Sequence, residues 1–162
     1  MIKDLFLIRH AESSHPIDVS DFERPLNEKG QIEAEKASKT LSHHEILPEF
    51  IISSPAKRAL STAMIFAKSL NIPNQKIQLE NMIYEAHVSS LLSIINHLPN
   101  EQNQVALFGH NPSITAFAEY LSGELIGNIP TAGIIHIQFS VNDWKMVSKD
   151  LGKIKWEASL NS

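Results

Sequence analysis

The chain has 162 residues, 43% hydrophobic and 20% charged, with a formal net charge of −4: an ordinary globular composition, long enough to bury a real core. No block of like charge offers a footing for a nucleic-acid backbone or an anionic membrane, and no apolar run reaches signal or transmembrane length, so the expectation is a cytoplasmic protein. Cysteine is absent, which excludes disulfides, thiolate metal sites and every cysteine-nucleophile mechanism.

In chain order, residues 3–8 (KDLFLI) form a nearly unbroken apolar run, as expected of a strand buried on both faces of a parallel sheet. The stretch 11–26 is polar, and its prolines and aspartates mark a loop. Asn27 suits an N-cap, after which Ile32, Ala34, Ala37 and Leu41 recur at roughly helical spacing. Phe50–Ser53 reads as a strand, Ser54 as the next cap and Pro55 as a first helical residue. Ala56, Ala59, Leu60, Ala63, Ala67 and Leu70 then share one helical face.

A strand over 76–80 and a helix over 88–98, carrying Leu91, Leu92, Ile95 and Leu98, come next. Strand 104–108 leads through a tight turn into a helix capped by Asn111 and opened by Pro112. Ile114, Phe117 and Leu121 form its apolar face, and Gly123 ends it. The runs GIIHIQFSV and WKMVSK predict an antiparallel strand pair turning at Asn142 and Asp143. Strands alternating with helices predict an α/β fold: a three-layer α/β/α sandwich with a mostly parallel central sheet, an antiparallel pair near the C-terminus, and a single domain over 1–162.

In such sheets ligands bind beyond the carboxyl ends of the strands. The first strand ends at Arg9-His10, the second leads through Ser53-Ser54-Pro55 to Arg58 in the first helical turn, and the fourth ends at Gly109-His110. All three point to one edge of the sheet, and two sit at helix N-termini, which offer free N–H groups and partial positive charge. Each piece alone reads more readily as a turn residue or a solvated surface cation than as part of a site. Their convergence predicts an anion site, with phosphate the natural occupant because a guanidinium grips two of its oxygens. No GxxxxGK[ST] loop, no Gly-x-Ser-x-Gly elbow and no strand-end aspartate is present, which leaves histidine as the nucleophile.

The segments LIRHAES, SSPAKRALSTA, YEA and FGHNP, in this order, resemble the histidine phosphatase (phosphoglycerate mutase-like) superfamily. DFERPLNEKG, GHNPSITAFAEYL and IPTAGIIHIQF are most similar to its SixA-type phosphohistidine phosphatases. The resemblance implies a ping-pong phosphoryl transfer in which His10 attacks phosphorus and water hydrolyses the phosphohistidine. Arg9, Arg58 and His110 would surround the phosphoryl oxygens, Asn111 would add its backbone N–H, and Arg24 would be a further phosphate ligand.

That role requires a neutral His10, one ring nitrogen free and the other held by a backbone hydrogen bond. His110, donating to phosphate, is expected to be protonated in the complex. No metal and no cofactor is required.

Glu85 stands where larger members of the superfamily place an acidic donor. Following Ile83 and Tyr84 it could be partly desolvated, which favours its protonated form; read structurally, it is a helix-start carboxylate. Few residues separate it from the next helix, which leaves no room for a lid over a small sugar phosphate. An imidazole leaving group also needs a dedicated acid less than an alkoxide does. Both points favour a phosphorylated protein as partner. A small-molecule phosphomonoesterase and a non-catalytic phosphoprotein-binding module are the alternatives. Among the other histidines, His43 and His44 suit a helix C-terminus, His15 and His87 lie in loops near the mouth, His97 on a helix surface, and His136 within a strand as a packing residue.

Overall fold

The computed structural model describes residues 1–159. Six strands, β1 (Lys3–Arg9), β2 (Phe50–Ser53), β3 (Ile77–Leu79), β4 (Gln104–Gly109), β5 (Ile134–Phe139) and β6 (Lys153–Ala158), form one sheet in the order β3-β2-β4-β1-β5-β6. The pairs β3–β2, β2–β4 and β4–β1 are parallel, whereas β5 runs antiparallel to both β1 and β6. Helices α1 (Glu28–Ser42) and α2 (Lys57–Leu70) pack together, as do α3 (Val88–Asn96) and α4 (Ser113–Ser122). The α/β/α sandwich expected from the alternation of elements is the one observed. No helix among the described residues is long and apolar enough to cross a membrane.

The central strands are buried on both faces because their side chains alternate between two cores. Leu5 and Leu7 of β1, with Val105 and Leu107 of β4, join Leu91, Ile95, Ile114 and Phe117 on the α3/α4 face. Phe6 and Ile8, with Ala106 and Phe108, join Ala34, Leu41, Ala63 and Phe66 on the α1/α2 face. His136 packs within this sheet as expected, its Nε2 2.7 Å from Asp4 Oδ1 and its ring stacked on Phe6.

Asn27 caps α1 as expected, its side chain accepting from Gly30 N. The buried face of α1 differs from the expected one: Ile32 is exposed, and Glu33 turns inward with Ala34, Ala37 and Leu41. Burial is tolerated because both Glu33 carboxylate oxygens accept hydrogen bonds, from Glu12 N and from the Thr131 hydroxyl. Gly30 lies where a Cβ would stand 1.9 Å from the Glu12 carbonyl oxygen, so only glycine lets α1 start against the β1 exit.

Three other expectations shift. Helix α2 begins at Lys57, not at Pro55; the Ser54 hydroxyl accepts from Ala56 N instead of capping a first turn. Helix α4 begins at Ser113 after a cis Asn111–Pro112 bond, and Asn111 is not its cap. The C-terminal antiparallel pair exists, but the partner of β5 is β6. Residues 144–146 instead form a 3-10 turn with Trp144 fully buried, its Nε1 donating to Gln102 O at 2.6 Å. The apolar character of WKMV reflects plugging of the core, not pairing in the sheet.

Candidate active site

Strand register builds the site. In the parallel β1–β4 pair Arg9 stands opposite Gly109, so the next residues, His10 and His110, emerge side by side with ring centroids 5.2 Å apart. In the β2–β4 pair Ser53 stands opposite Phe108, which brings Ser54 within 2.8 Å of His110 Nε2. Arg9, His10, Arg24, Arg58, His110 and Asn111 all line one cleft of about 370 Å³. A groove of about 560 Å³ near residues 126–135 and 157–159 is larger, but its lining carries no cation. Chemistry, not size, locates the site.

His10 is held as a nucleophile should be. Its Nδ1 lies 2.7 Å from Ala11 O; a carbonyl only accepts, so Nδ1 carries the proton and the Nε2 lone pair is free. Helix α2 fixes that carbonyl from behind, because Ala11 N donates to Thr62 Oγ1, which donates to Arg58 O. Burial, reinforced by Arg58, Arg9 and Arg24 and opposed by the Ala11 carbonyl, pulls His10 down to about 4. Burial, with His10 and Arg58 beside it, pulls His110 down to about 3. Both imidazoles are therefore neutral at pH 7 in the empty cleft.

Asp21, on a 3-10 turn over Asp21–Glu23, organises the cations. Arg58, itself buried, donates Nη1 to Asp21 O at 2.6 Å and Nη2 to Asp21 Oδ2 at 3.0 Å. Arg24 Nη1 donates to Oδ1 at 2.8 Å, and Tyr84 Oη donates to Oδ2 at 2.6 Å. The Tyr84 hydroxyl, then Arg24 and Arg58, hold the Asp21 carboxyl well below the usual carboxylate range. Arg9 donates Nη1 to Ile129 O at 3.0 Å, while its buried Nε has no partner among the described residues. Burial lowers Arg9 from its ordinary value, and Glu33 opposes this.

The remaining expected residues divide. The Asn111 amide is committed to the neighbouring loop, donating to Asn128 Oδ1 and Ile129 O, while its oxygen accepts from Thr115 Oγ1. A phosphate contact from Asn111 is thus left to its backbone. Glu85 is exposed, in a left-handed conformation at φ 56°, and outside the residues lining the cleft, so it lacks the partial desolvation expected of it.

Sequence reasoning missed Asp21, Thr62 and Glu33, and took Ser54 only for a cap. It placed His15 near the mouth, where it does line the cleft, with Ser13 and Thr131. The one available signal for Asp21 was an aspartate three residues before Arg24 in a loop already suspected of facing the site.

A sequence model described as the histidine phosphatase superfamily (branch 1) matches residues 5–91, just over half the chain. A chloroplastic protein of Arabidopsis thaliana, itself uncharacterised, is 28% identical over an alignment of 154 positions that covers 87% of this chain and 68% of that one. The SixA structure from Agrobacterium tumefaciens, assigned as a phosphohistidine phosphatase, superposes with a TM-score of 0.81 at 27% identity over 97% of both chains. The protein histidine phosphatase SixA complexed with tungstate gives 0.82 at 23% identity over 96% of both. A mycobacterial glucosyl-3-phosphoglycerate phosphatase gives 0.72 at 14% identity, covering 98% of this chain and all of its own. These last two likenesses concern the fold.

Proposed function

Because the chain belongs to the histidine phosphatase superfamily, branch 1, we propose that it is a metal-independent phosphatase that forms a phosphohistidine on His10 and acts on phosphohistidine carried by a protein. The observation that carries this reading is His10 itself: neutral, its Nδ1 proton tied to Ala11 O, its Nε2 free in a cleft lined by three guanidinium groups. In the first half-reaction Nε2 forms a bond to phosphorus as the bond to the leaving group breaks. In the second, water displaces His10 from phosphorus, its proton leaves to solvent, and inorganic phosphate departs. The arginines supply the positive charge that spreads over the equatorial oxygens.

The substrate class follows from the leaving group. The leaving nitrogen of a phosphohistidine takes the bonding pair and departs as neutral imidazole when the other ring nitrogen carries a proton, so it needs no dedicated acid. Glu85, exposed beyond the cleft lining, is a poor acid for an alkoxide. Only Ala86 and His87 separate Glu85 from α3, too short a span for a lid, and an open cleft suits a phosphorylated side chain on another protein. The SixA resemblance supports the same substrate class. We place this activity in one domain spanning the chain, in the cytoplasm.

The test is a panel of a phosphohistidine protein, an aryl phosphate and a sugar phosphate, run on wild type, His10→Ala and Glu85→Gln. His10→Ala should abolish turnover and phosphoenzyme trapping with an unchanged circular dichroism spectrum; undiminished turnover in that variant overturns the mechanism. Glu85→Gln should leave phosphohistidine hydrolysis within about threefold of wild type. Preferential turnover of sugar phosphate, lost in Glu85→Gln, would replace the protein substrate with a small ester. Phosphate binding with no labelling of His10 at all would make the chain a binding module.

A further inference from the structure

The hydrogen bond between Ser54 and His110 leaves a proton to be placed, and the surroundings place it. Ser54 is fully buried. Among the described residues its Oγ has two hydrogen-bond partners: Ala56 N, which donates to it at 3.2 Å, and His110 Nε2 at 2.8 Å. A hydroxyl has one proton to give. If His110 carried its proton on Nε2, both neighbours would be donors, and the Ser54 hydroxyl proton would be buried without an acceptor, at a cost of about 1–3 kcal/mol. If the hydroxyl donates to Nε2, every group around Ser54 is satisfied, and the imidazole proton sits on Nδ1. That atom is itself buried and has no hydrogen-bond partner among the described residues, on a side chain that lines the cleft beside His10.

We infer that Ser54 is a positioning residue that fixes His110 as the neutral Nδ1–H tautomer, so that His110 gives a phosphoryl oxygen a hydrogen bond without ever being a cation. The inference deepens the proposed reading of the cleft and rests on it for the identity of the ligand. It replaces the expectation of an imidazolium in the complex. Burial disfavours the charged ring, and a cation there would face Arg58 and Arg9, which the Asp21 carboxylate offsets in part. A neutral donor avoids that repulsion. The tautomer is then set before substrate arrives, because Ser54 directly follows one strand of a parallel pair and His110 directly follows the other.

The readout is the tautomer itself, by long-range ¹H–¹⁵N correlation on protein labelled at histidine, first empty and then with inorganic phosphate. Wild-type His110 should show Nδ1 as the protonated nitrogen and Nε2 as the bare one near pH 7, in both states. An Nε2–H tautomer, or an imidazolium with phosphate bound, overturns the inference. This measurement needs no variant. Ser54→Ala should mix the tautomers and lower kcat/KM roughly tenfold or more, with His10 still labelled, and Ser54→Thr should restore most of both. A Ser54→Ala protein whose His110 keeps a pure Nδ1–H state also overturns it. If the tautomer is as stated but His10→Ala retains turnover, it is the phosphatase mechanism that fails.

Discussion

His10 and Arg58 illustrate how burial converts common side chains into specialised ones. With its folded value near 4, against about 6.5 in a model peptide, His10 remains neutral across the range in which a solvated imidazole titrates. Initial rates should therefore show no acid limb attributable to the proposed nucleophile between pH 5.5 and 7.5; a rate that halves near pH 6.5 in step with His10 protonation, followed by NMR, contradicts this. Arg58 and Arg24 should also differ. The Arg58 side chain is 8% exposed and the Arg24 side chain 17%, and the Arg58 guanidinium donates to both the carbonyl and the carboxylate of Asp21, whereas the Arg24 guanidinium reaches the carboxylate alone. Arg58→Ala should cost about 100-fold or more in kcat/KM, and Arg24→Ala nearer tenfold, measured on a phosphohistidine protein. The residues at strand ends were legible because strand ends are marked by where apolar runs stop. Asp21, Thr62 and Glu33 were not, because their partners are distant in sequence: Asp21 meets residues 37 and 63 positions away, and no local period records such contacts.

At the scale of elements, the alternation of strand and helix was readable because the inner strands β1 and β4 are buried on both faces, and that pattern differs sharply from an amphipathic helix. Errors arose where one chemistry has two uses. Ile32 supplied a helical period yet faces solvent, since the inward position was taken by Glu33, whose carboxylate is fully hydrogen-bonded to the β1 exit and to Thr131. The Trp144 segment was apolar enough for a strand but serves as a plug, and β6, alternating Lys, Ile, Lys, Trp and Glu, is the true edge. The contact between α1 and Glu12 gives the sharpest prediction. Gly30→Ala must push helix and loop apart, destabilising the fold by about 2–4 kcal/mol in urea titrations. An unchanged midpoint would refute the close approach.

For the whole molecule, the two buried histidines make stability depend on pH with a definite sign. Unfolded, each takes up a proton near 6.5; folded, His10 holds out until about 4 and His110 until about 3. Between these limits the unfolded chain binds more protons than the native one, so stability falls as pH falls below 6.5. Asp21 works in a lower window, its contribution being lost only below the ordinary aspartate value of 3.8. Melting temperatures across pH 4.5–7.5 should decline on the acid side in wild type, and decline less in a variant with His10 and His110 both replaced by glutamine. Equal slopes in the two proteins would show that the ionisation responsible lies elsewhere.

On the proposed mechanism, three guanidinium groups around one small anion pose a difficulty at the end of each cycle, since inorganic phosphate would be held by the same charges as the transition state. Asp21 tempers this. Its carboxylate, shared by Arg24, Arg58 and Tyr84, returns one negative charge to the neighbourhood and gives the arginines somewhere to rest when the cleft empties. On that mechanism the carboxylate would protect turnover from self-poisoning by its own product. Asp21→Asn, which keeps the shape and removes the charge, should tighten competitive inhibition by phosphate about fivefold while slowing release. Unchanged inhibition would mean that the carboxylate only orders the arginines and leaves the lifetime of bound product to the cleft alone.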